Sequence, residues 1–223
     1  MSIVFRPKYI SFDCYGTLTN FQMAPMARKL FADRIAPEDM EQFCRDFATA
    51  RLDEVLGDWK PYYEVIFDSV LRTANRWKVP FHEADVRAIY DAVPTWGPHP
   101  DVVEGLAVIA DKIPLVIMSN AMDHQLVHNV EKLQVPFHRV YTAQQAKAYK
   151  PRHRAFEYMI ESLGAKPEDF LHVSSSMRYD LMPANDLGIK NKVFVNRGHE
   201  PGTPFYGYSE INDIGGLAAL VGL

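Results

Sequence analysis

The second half of the chain alternates between short apolar runs and segments with helical periodicity, and this pattern limits the fold more than any other feature. The apolar runs are rich in β-branched and aromatic residues, and the intervening segments repeat apolar residues at helical spacing. Strands that alternate with helices are typical of βαβ units, which build a parallel sheet with helices on both faces. The predicted strands are 114–118, 139–142, 170–174 and 192–196, and the predicted helices are 101–110, 123–133, 152–163 and 180–187.

A further strand, predicted over residues 8–12, is separated from the others by a long helical segment. Helical periodicity fills most of the intervening chain, with breaks at proline-containing segments. The proline-rich residues 94–100 mark a hinge after this segment. We therefore predict an α/β fold, with a Rossmann-like parallel-sheet core domain of residues 1–19 and 96–223 and an inserted helical domain of residues 20–95.

Length, composition and charge limit which classes of protein this chain can belong to. The length of 223 residues lies between one typical domain and two, which an insertion in one domain explains. The 24 Lys and Arg against 28 Asp and Glu give a net charge of −4, so we expect no nucleic-acid partner. No apolar run approaches the ~20 residues that span a bilayer, and no secretory signal is visible, so we expect a cytoplasmic protein without a membrane partner. In that compartment Cys14 and Cys44 are expected to be reduced thiols.

Polar residues gather in four clusters near the carboxyl ends of the predicted strands, where ligands bind in open parallel sheets. Each cluster alone is also explained by loop solvation or helix capping, and Ser119 with Asn120 fits a helix N-cap pair equally well. Four clusters at one edge favour a ligand site instead. The clusters are 13–17, Ser119 with Asn120, Lys150, and 174–180.

The side chains in these clusters form a consistent chemical set. Asp13 is a candidate carboxylate nucleophile, and we expect Lys150 to keep it ionised, because a nearby cation lowers the pKa of an acid. Thr17 and Ser119 offer hydroxyl donors. Asp180 is a second acid that could position Lys150 or activate a water.

These motifs, in this order, resemble those of the haloacid dehalogenase superfamily over nearly the whole chain. The resemblance implies the haloacid dehalogenase-like fold, with a helical cap domain inserted just after the first motif. The matching segments are 13–18 (DCYGTL), the nucleophile loop, then 118–120 (MSN), 150–151 (KP) and 173–180 (VSSSMRYD), followed by Ala184 and Gly188.

Two positions separate the chain from the magnesium-dependent phosphatases of that superfamily. Those enzymes have an aspartate two residues after the nucleophile, where this chain has Tyr15, and an acidic ligand in the fourth motif, where it has Ser174 and Ser175. Magnesium prefers carboxylate oxygens, so we expect no metal and no cofactor. The Asp-x-Tyr-Gly-Thr motif and the serines instead resemble the L-2-haloacid dehalogenases, which implies a small-molecule 2-haloacid substrate and a homodimer.

This resemblance also implies a mechanism. Asp13 would attack C2 of a short L-2-haloacid with inversion and form an ester. Water, assisted by Asp180, would then hydrolyse the ester to a 2-hydroxy acid. Lys150 would keep Asp13 ionised, while Thr17 and Ser175 would orient the pair.

The implied substrate site depends on weaker matches. Ser119, Asn120 and backbone N–H groups near Tyr15 would hold the substrate carboxylate, and Arg51 of the cap would bind the halide. The alignment places Asp53 at the expected arginine position, so Arg51 could instead lie on a solvated helix face, paired with Asp53 or Glu54. Met177 and Phe156 replace an asparagine and a tyrosine of the pattern. The complete predicted substrate-binding set is Cys14, Tyr15, Ser119, Asn120, Arg51, Trp59 and Phe156.

Several interpretations stay open. Tyr15, Trp59, Tyr62 and Phe156 could form an apolar wall around the halogen-bearing carbon, whereas Trp59 and Tyr62 could equally be cap core. His172 is interpreted as a core or edge histidine without a nearby partner. For Cys14, strand alternation predicts a side chain on the face opposite Asp13. A phosphatase with an altered metal site and a catalytically silent relative that binds a small anion or a protein partner are the alternative functions.

Overall fold

The structure, a computed structural model, describes residues 5–223. The chain divides into two compact units. The first comprises Met1–Asn20 and Gly97–Leu223, and the second comprises Phe21–Trp96. Where the chain leaves and re-enters the first unit, the Asn20 N–H donates to Gly97 O at 2.9 Å, so the two connecting segments begin side by side.

The second unit is helical throughout. Apolar residues at helical spacing bury one face of each helix, including Phe43 and Phe47 on the second helix and Val65 and Ile66 on the third. The third helix ends at Trp77, and the following residue, Lys78, has a left-handed φ of 55°. In residues 21–96, all described, the α-helices are α1 (Met23–Phe31), α2 (Met40–Leu56), α3 (Tyr62–Trp77) and α4 (Glu83–Ala92).

The first unit contains the sheet. Within residues 5–223, six strands pair in parallel in the order β3-β2-β1-β4-β5-β6. The prediction of a parallel sheet is confirmed, and β6, at one edge, is an additional strand too short for periodicity to reveal. The strands are β1 (Tyr9–Phe12), β2 (Leu115–Ser119), β3 (Arg139–Thr142), β4 (Phe170–Ser174), β5 (Asn191–Val195) and β6 (Ser209–Ile211).

Helices cover both faces of this sheet. One face packs Ile10, Phe12 and Ile117 into a first apolar cluster, and the other packs Val116 and Phe170 into a second. The strands β1, β2 and β4 are buried along their whole length, as expected for central parallel strands. The α-helices in the described part of this unit are α5 (Val102–Ala107), α6 (Asp123–Glu131), α7 (Ala143–Ala146), α8 (His153–Ser162), α9 (Met182–Asp186) and α10 (Leu217–Leu220).

The helix predicted over 180–187 differs in detail. One π-helical turn, Met177–Leu181, precedes α9. The Ser176 hydroxyl caps this turn by accepting the Tyr179 N–H at 3.2 Å. The wide turn places Asp180 in the buried interior, 1% exposed. Among the described residues, no helix has the length and apolar character needed to cross a membrane.

Candidate active site

The loop after β1 places Asp13 near the middle of the sheet edge, because β1 lies between β2 and β4. Gly16 turns this loop with a φ of +94°, and a Cβ at that position would lie 3.4 Å from Ser175 Oγ. The turn closes with the Gly16 N–H donating to Thr19 O at 2.8 Å. The left-handed conformation and the close approach both favour glycine here.

Both oxygens of the Asp13 carboxylate accept a hydrogen bond. The Thr17 hydroxyl donates to Oδ2 at 2.7 Å, and the Lys150 ammonium donates to Oδ1 at 2.8 Å. Thr17 Oγ1 also accepts the Ser175 N–H at 2.9 Å, which ties the loop after β1 to the loop after β4. Asp13 is 7% exposed. Its carboxylate is therefore oriented by two donors and largely shielded from water.

Lys150 lies between two buried carboxylates. Its ammonium also donates to Asp180 Oδ1 at 2.8 Å, and the residue is only 1% exposed. The Asn120 side chain holds the Lys150 backbone at both ends, because its amide donates to Lys150 O and accepts the Lys150 N–H, each at 2.7 Å. The structure thus brings the predicted residues Asp13, Lys150 and Asp180 together.

Burial changes the acid–base properties of this group. It raises the pKa of Asp13 above its ordinary value and outweighs the opposing effects of Lys150 and Thr17. Lys150 lowers the pKa of Asp13, as expected, but the larger effect of burial leaves it raised. For Asp180, burial is also the largest effect, but Lys150 and His172 together outweigh it and hold the pKa below the ordinary value. Burial opposes the charge of Lys150 as well, and the two carboxylates overcome it and raise the pKa of the ammonium.

His172 has partners, so its interpretation as a histidine without a nearby partner is wrong. Its Nε2 lies 3.0 Å from Asp180 Oδ1, and its Nδ1 lies 2.9 Å from Ser11 Oγ. The parallel register of β1 and β4 places Ser11 directly opposite His172. The sequence contained a signal for this pair, because Ser11 and His172 are each a polar residue within the apolar run of a predicted strand.

Ser119 ends β2 with a fully buried hydroxyl that has no hydrogen-bond partner among residues 5–223. The N-cap interpretation of Ser119 with Asn120 is wrong, since α6 begins at Asp123 and its capping position is Met122. The Asn120 amide uses one donor and one acceptor on the Lys150 backbone, and its role toward substrate stays a prediction. A buried hydroxyl without a partner suits a ligand that supplies an acceptor.

Three other predicted substrate residues also belong to the first unit, two in the loop after β1 and one on α8. The Cys14 side chain is fully buried in the first apolar cluster, and burial raises its thiol pKa to about 12, so this side chain is a core group. Phe156 is also fully buried, on α8, where it packs in the second apolar cluster with its ring centroid 5.3 Å from that of His172. The Tyr15 hydroxyl donates to Asn129 Oδ1 at 2.8 Å.

The predicted halide ligand lies in the second unit, on α2. The Arg51 guanidinium lies over two rings, 5.3 Å from the centroid of Phe21 and 5.2 Å from that of Phe47. Its Nε is buried without a hydrogen-bond partner among the described residues. The alternative pairing with Asp53 or Glu54 is wrong, because both carboxylates bind Arg72 on α3. Trp59 is half-buried before α3, and Tyr62 is buried at the start of α3 in the second unit.

Sequence reasoning missed two charged residues that support the site loops. Arg197, just after β5, forms a bidentate ion pair with Asp101 at 2.7 and 2.9 Å and donates to Thr17 O at 3.0 Å. Glu200 accepts the Met177 N–H at 2.8 Å, which holds the start of the π-helical turn. Both residues follow β5 at the sheet edge that carries the site, and this position after a strand is the signal that could have identified them.

The donor set does not resemble a magnesium site. Within residues 5–223, no group of three or more His, Cys, Asp and Glu side chains is arranged to hold a metal ion. The position of the phosphatase acid is Tyr15, whose hydroxyl is bound to Asn129. Asp180 Oδ1 already accepts from Lys150 and lies within hydrogen-bond distance of His172.

Comparison with known proteins identifies relatives of two kinds. The chain is 25% identical over 193 residues, 84% of its length and 85% of the relative's, to haloacetate dehalogenase H-2 of Moraxella sp. (strain B). Its fold matches the L-2-haloacid dehalogenase of Xanthobacter autotrophicus with chloropropionic acid covalently bound (TM-score 0.77, 19% identity, 96% and 98% of the two chains). It also matches the magnesium-bound hydrolase YfnB of Bacillus subtilis (TM-score 0.82, 16% identity, 98% and 100%), so fold likeness alone does not separate the two chemistries.

The family assignment depends on a match along most of the chain. The model of the haloacid dehalogenase-like hydrolase family matches residues 7–188. That range includes Asp13, Ser119, Lys150 and Asp180, which the fold brings to one edge of the sheet. This chain therefore belongs to the haloacid dehalogenase-like hydrolase family, as the order of its motifs predicted.

Proposed function

We propose that this protein is a metal-independent hydrolytic dehalogenase that converts short L-2-haloacids to 2-hydroxy acids through an ester on Asp13. The observation that carries the proposal is a buried Asp13 carboxylate held by Lys150 and Thr17, with Tyr15 at the position of the phosphatase acid. A halide leaves without a proton, so displacement by Asp13 needs no general acid. The known activity of the Moraxella relative supports the same class of reaction.

In the first step an Asp13 oxygen forms a bond to C2 of the haloacid while the carbon–halogen bond breaks. The halide leaves with the bonding electron pair, and backside attack inverts C2. Burial favours this step because a carboxylate shielded from water loses less hydration on attack. Lys150 and Thr17 supply the orientation, one donor on each oxygen.

The Ser119 hydroxyl is our candidate donor to the substrate carboxylate. It lies at the carboxyl end of β2, next to β1, and is the buried hydroxyl without a partner described above. Arg51 is our candidate halide ligand, because its Nε has no hydrogen-bond partner within residues 5–223 and its guanidinium lies over two aromatic rings. In these roles residues 20–95 act as the cap domain and residues 1–19 with 96–223 as the catalytic core.

In the second step water attacks the carbonyl carbon of the Asp13 ester. Asp180 takes one proton from this water, and its low pKa keeps it ionised and able to do so. The tetrahedral intermediate collapses by breaking the bond between the Asp13 carbonyl carbon and the product oxygen. The product oxygen takes up one proton, and the other proton of the water leaves to solvent.

The proposal is tested by halide release from L-2-chloropropionate in the presence of a metal chelator. We expect halide and the inverted hydroxy acid in equal amounts, with activity independent of magnesium. Asp13→Asn should abolish release, because the nucleophile is gone, while Asp33→Asn, at an exposed carboxylate of the second unit, should not change it. Magnesium-dependent phosphate release without halide release would favour the phosphatase alternative, and binding without turnover would favour the silent relative.

Two further predictions concern the state of the protein rather than its chemistry. A homodimer is tested by light scattering of the purified protein. The cytoplasmic location is tested by fractionation of cells that express it.

A further inference from the structure

A continuous line of buried polar groups extends behind the nucleophile, away from the loop that presents it. Ser11 Oγ lies 2.9 Å from His172 Nδ1, and His172 Nε2 lies 3.0 Å from Asp180 Oδ1. Asp180 Oδ1 accepts from Lys150, which also donates to Asp13. Ser11 and His172 are 0% exposed, and Lys150 and Asp180 are 1% exposed. The proposed chemistry uses Asp13, Lys150 and Asp180 but leaves Ser11 and His172 without a role.

A histidine in a sheet interior needs partners for both ring nitrogens, because an unpaired buried polar atom is costly. Ser11 satisfies one nitrogen of His172. The second nitrogen lies within hydrogen-bond distance of the Asp180 carboxylate rather than of a backbone carbonyl. This histidine therefore contacts a residue of the proposed chemistry in addition to packing in the core. Phe156 packs edge-on against the imidazole, and the strand pair fixes its backbone, so the ring is held in one orientation.

The two oxygens of Asp180 have different environments. Oδ1 accepts from Lys150 and lies against His172 Nε2, whereas Oδ2 is buried without a hydrogen-bond partner among the described residues. Two groups on one oxygen fix the rotation of the carboxylate and leave the other oxygen available to accept a proton. Lys150 alone, at the end of a flexible side chain that also serves Asp13, would leave that rotation less restricted.

We propose that His172 is a positioning residue for the hydrolytic step: it orients Asp180 so that Oδ2 takes the proton of the attacking water. This inference depends on the proposed function, since the water attacks the Asp13 ester. The Asp180 proton then returns to the product oxygen as the bond from the Asp13 carbonyl carbon breaks, so the reacting proton moves through Asp180 alone. Formation of the ester requires no proton transfer and should not depend on His172.

The test separates the two steps in a rapid-quench experiment. Halide release in the first turnover reports ester formation, and the mass of the peptide containing Asp13 reports ester decay. In His172→Leu we expect ester formation near the wild-type rate and decay slower by about 100-fold, the effect of misplacing a reacting group by about 1 Å. His172→Gln, whose amide can still donate to Asp180, should recover most of the decay rate.

Met159→Ala is the matched structural control. Met159 is fully buried in the same apolar cluster as Phe156 but is not part of the polar line. This variant should lose stability while leaving the ratio of the two rates unchanged. Equal slowing of both steps in His172→Leu, or ester decay at the wild-type rate, would overturn the positioning role.

A second readout distinguishes failure of this inference from failure of the proposed function. In the resting protein, ¹⁵N NMR of the His172 ring should show a protected proton on Nε2, and Asp180→Asn should shift that resonance more than Asp33→Asn does. If the wild type forms no ester and releases no halide, the proposed function fails. The NMR result then still shows whether His172 Nε2 donates a hydrogen bond to Asp180. Absence of a proton on Nε2 would refute the positioning of Asp180 by His172.

Discussion

Replacing Lys150 with methionine removes the one ammonium that contacts both carboxylates of the site. Both Oδ1 atoms lie 2.8 Å from the same Nζ, and all three side chains are at most 10% exposed. Two unit charges about 5 Å apart repel by about 3 kcal/mol at an effective dielectric constant of about 20. Breaking a buried pair by removing one partner has a similar cost, about 3–5 kcal/mol. We expect Lys150→Met to lower the free energy of unfolding by that amount at pH 8.

The loss of unfolding free energy in Lys150→Met should become smaller as the pH falls. Without Lys150, the folded variant relieves the repulsion by protonating Asp13 or Asp180, so a carboxyl pKa lies further above its unfolded value than in the wild type. Such a group stabilises the fold below the unfolded pKa, and this contribution is lost as the pH rises through the folded pKa. The deficit relative to wild type should therefore shrink on going from pH 8 to pH 5, by at most about 1.4 kcal/mol per pH unit for one proton.

Urea unfolding followed by circular dichroism measures this deficit. The tryptophans, at positions 59, 77 and 96, all lie in the second unit, so their fluorescence does not report directly on the site. Lys192→Met is the matched control, because Lys192 is a buried lysine, 4% exposed, whose ammonium contacts carbonyl and amide oxygens instead of carboxylates. A Lys150→Met deficit below about 1 kcal/mol at pH 8, or one that matches Lys192→Met at every pH, would refute the reasoning.

The surroundings of the nucleophile lead to three shorter predictions. Because burial raises the thiol pKa of Cys14 to about 12, iodoacetamide at pH 8 should modify it only after unfolding, and rapid modification of the native protein would contradict this. Burial opposes ionisation of Asp101, but Arg197 and hydrogen bonds from backbone N–H groups, including that of Ile214, outweigh it and lower the pKa. Asp101→Asn should thus cost about 1–2 kcal/mol at pH 7, a deficit that shrinks as the pH falls below about 4; a pH-independent deficit in urea unfolding would be inconsistent. Thr17→Val removes a donor to Asp13 and should lower kcat for halide release about tenfold, whereas Thr17→Ser should retain it; equal kcat values would exclude that role for the hydroxyl.

Strand periodicity and motif order were sufficient to predict the central sheet and the meeting of its polar ends. Asp13, Lys150 and Asp180 are far apart in the sequence, yet parallel strands place their carboxyl ends at one edge, so their proximity follows from topology. Ser119 was predicted as a hydroxyl donor for the same reason. The order of the motifs was also enough to predict the family.

Contacts that depend on strand register or side-chain packing were not predictable in this way. The bond between Ser11 and His172 joins residues 161 positions apart and requires the alignment of β1 with β4. Pairing with an acid of its own helix was the alternative prediction for Arg51, but the acids nearby bind Arg72 on α3. Phe156 was predicted to lie at the substrate because of its position after Lys150, whereas its position on α8 buries its side chain in the core. Helical periodicity specifies a face and does not specify which neighbouring element covers it.

Oxygen labelling in a single turnover shows whether Asp13 forms and then loses an ester. With enzyme in excess over L-2-chloropropionate in heavy-oxygen water, we expect one labelled oxygen on Asp13 and none in the hydroxy acid after a single turnover. This distribution follows because water attacks the Asp13 carbonyl carbon and the product keeps the original aspartate oxygen. Label in the hydroxy acid with an unlabelled Asp13 peptide would contradict the account.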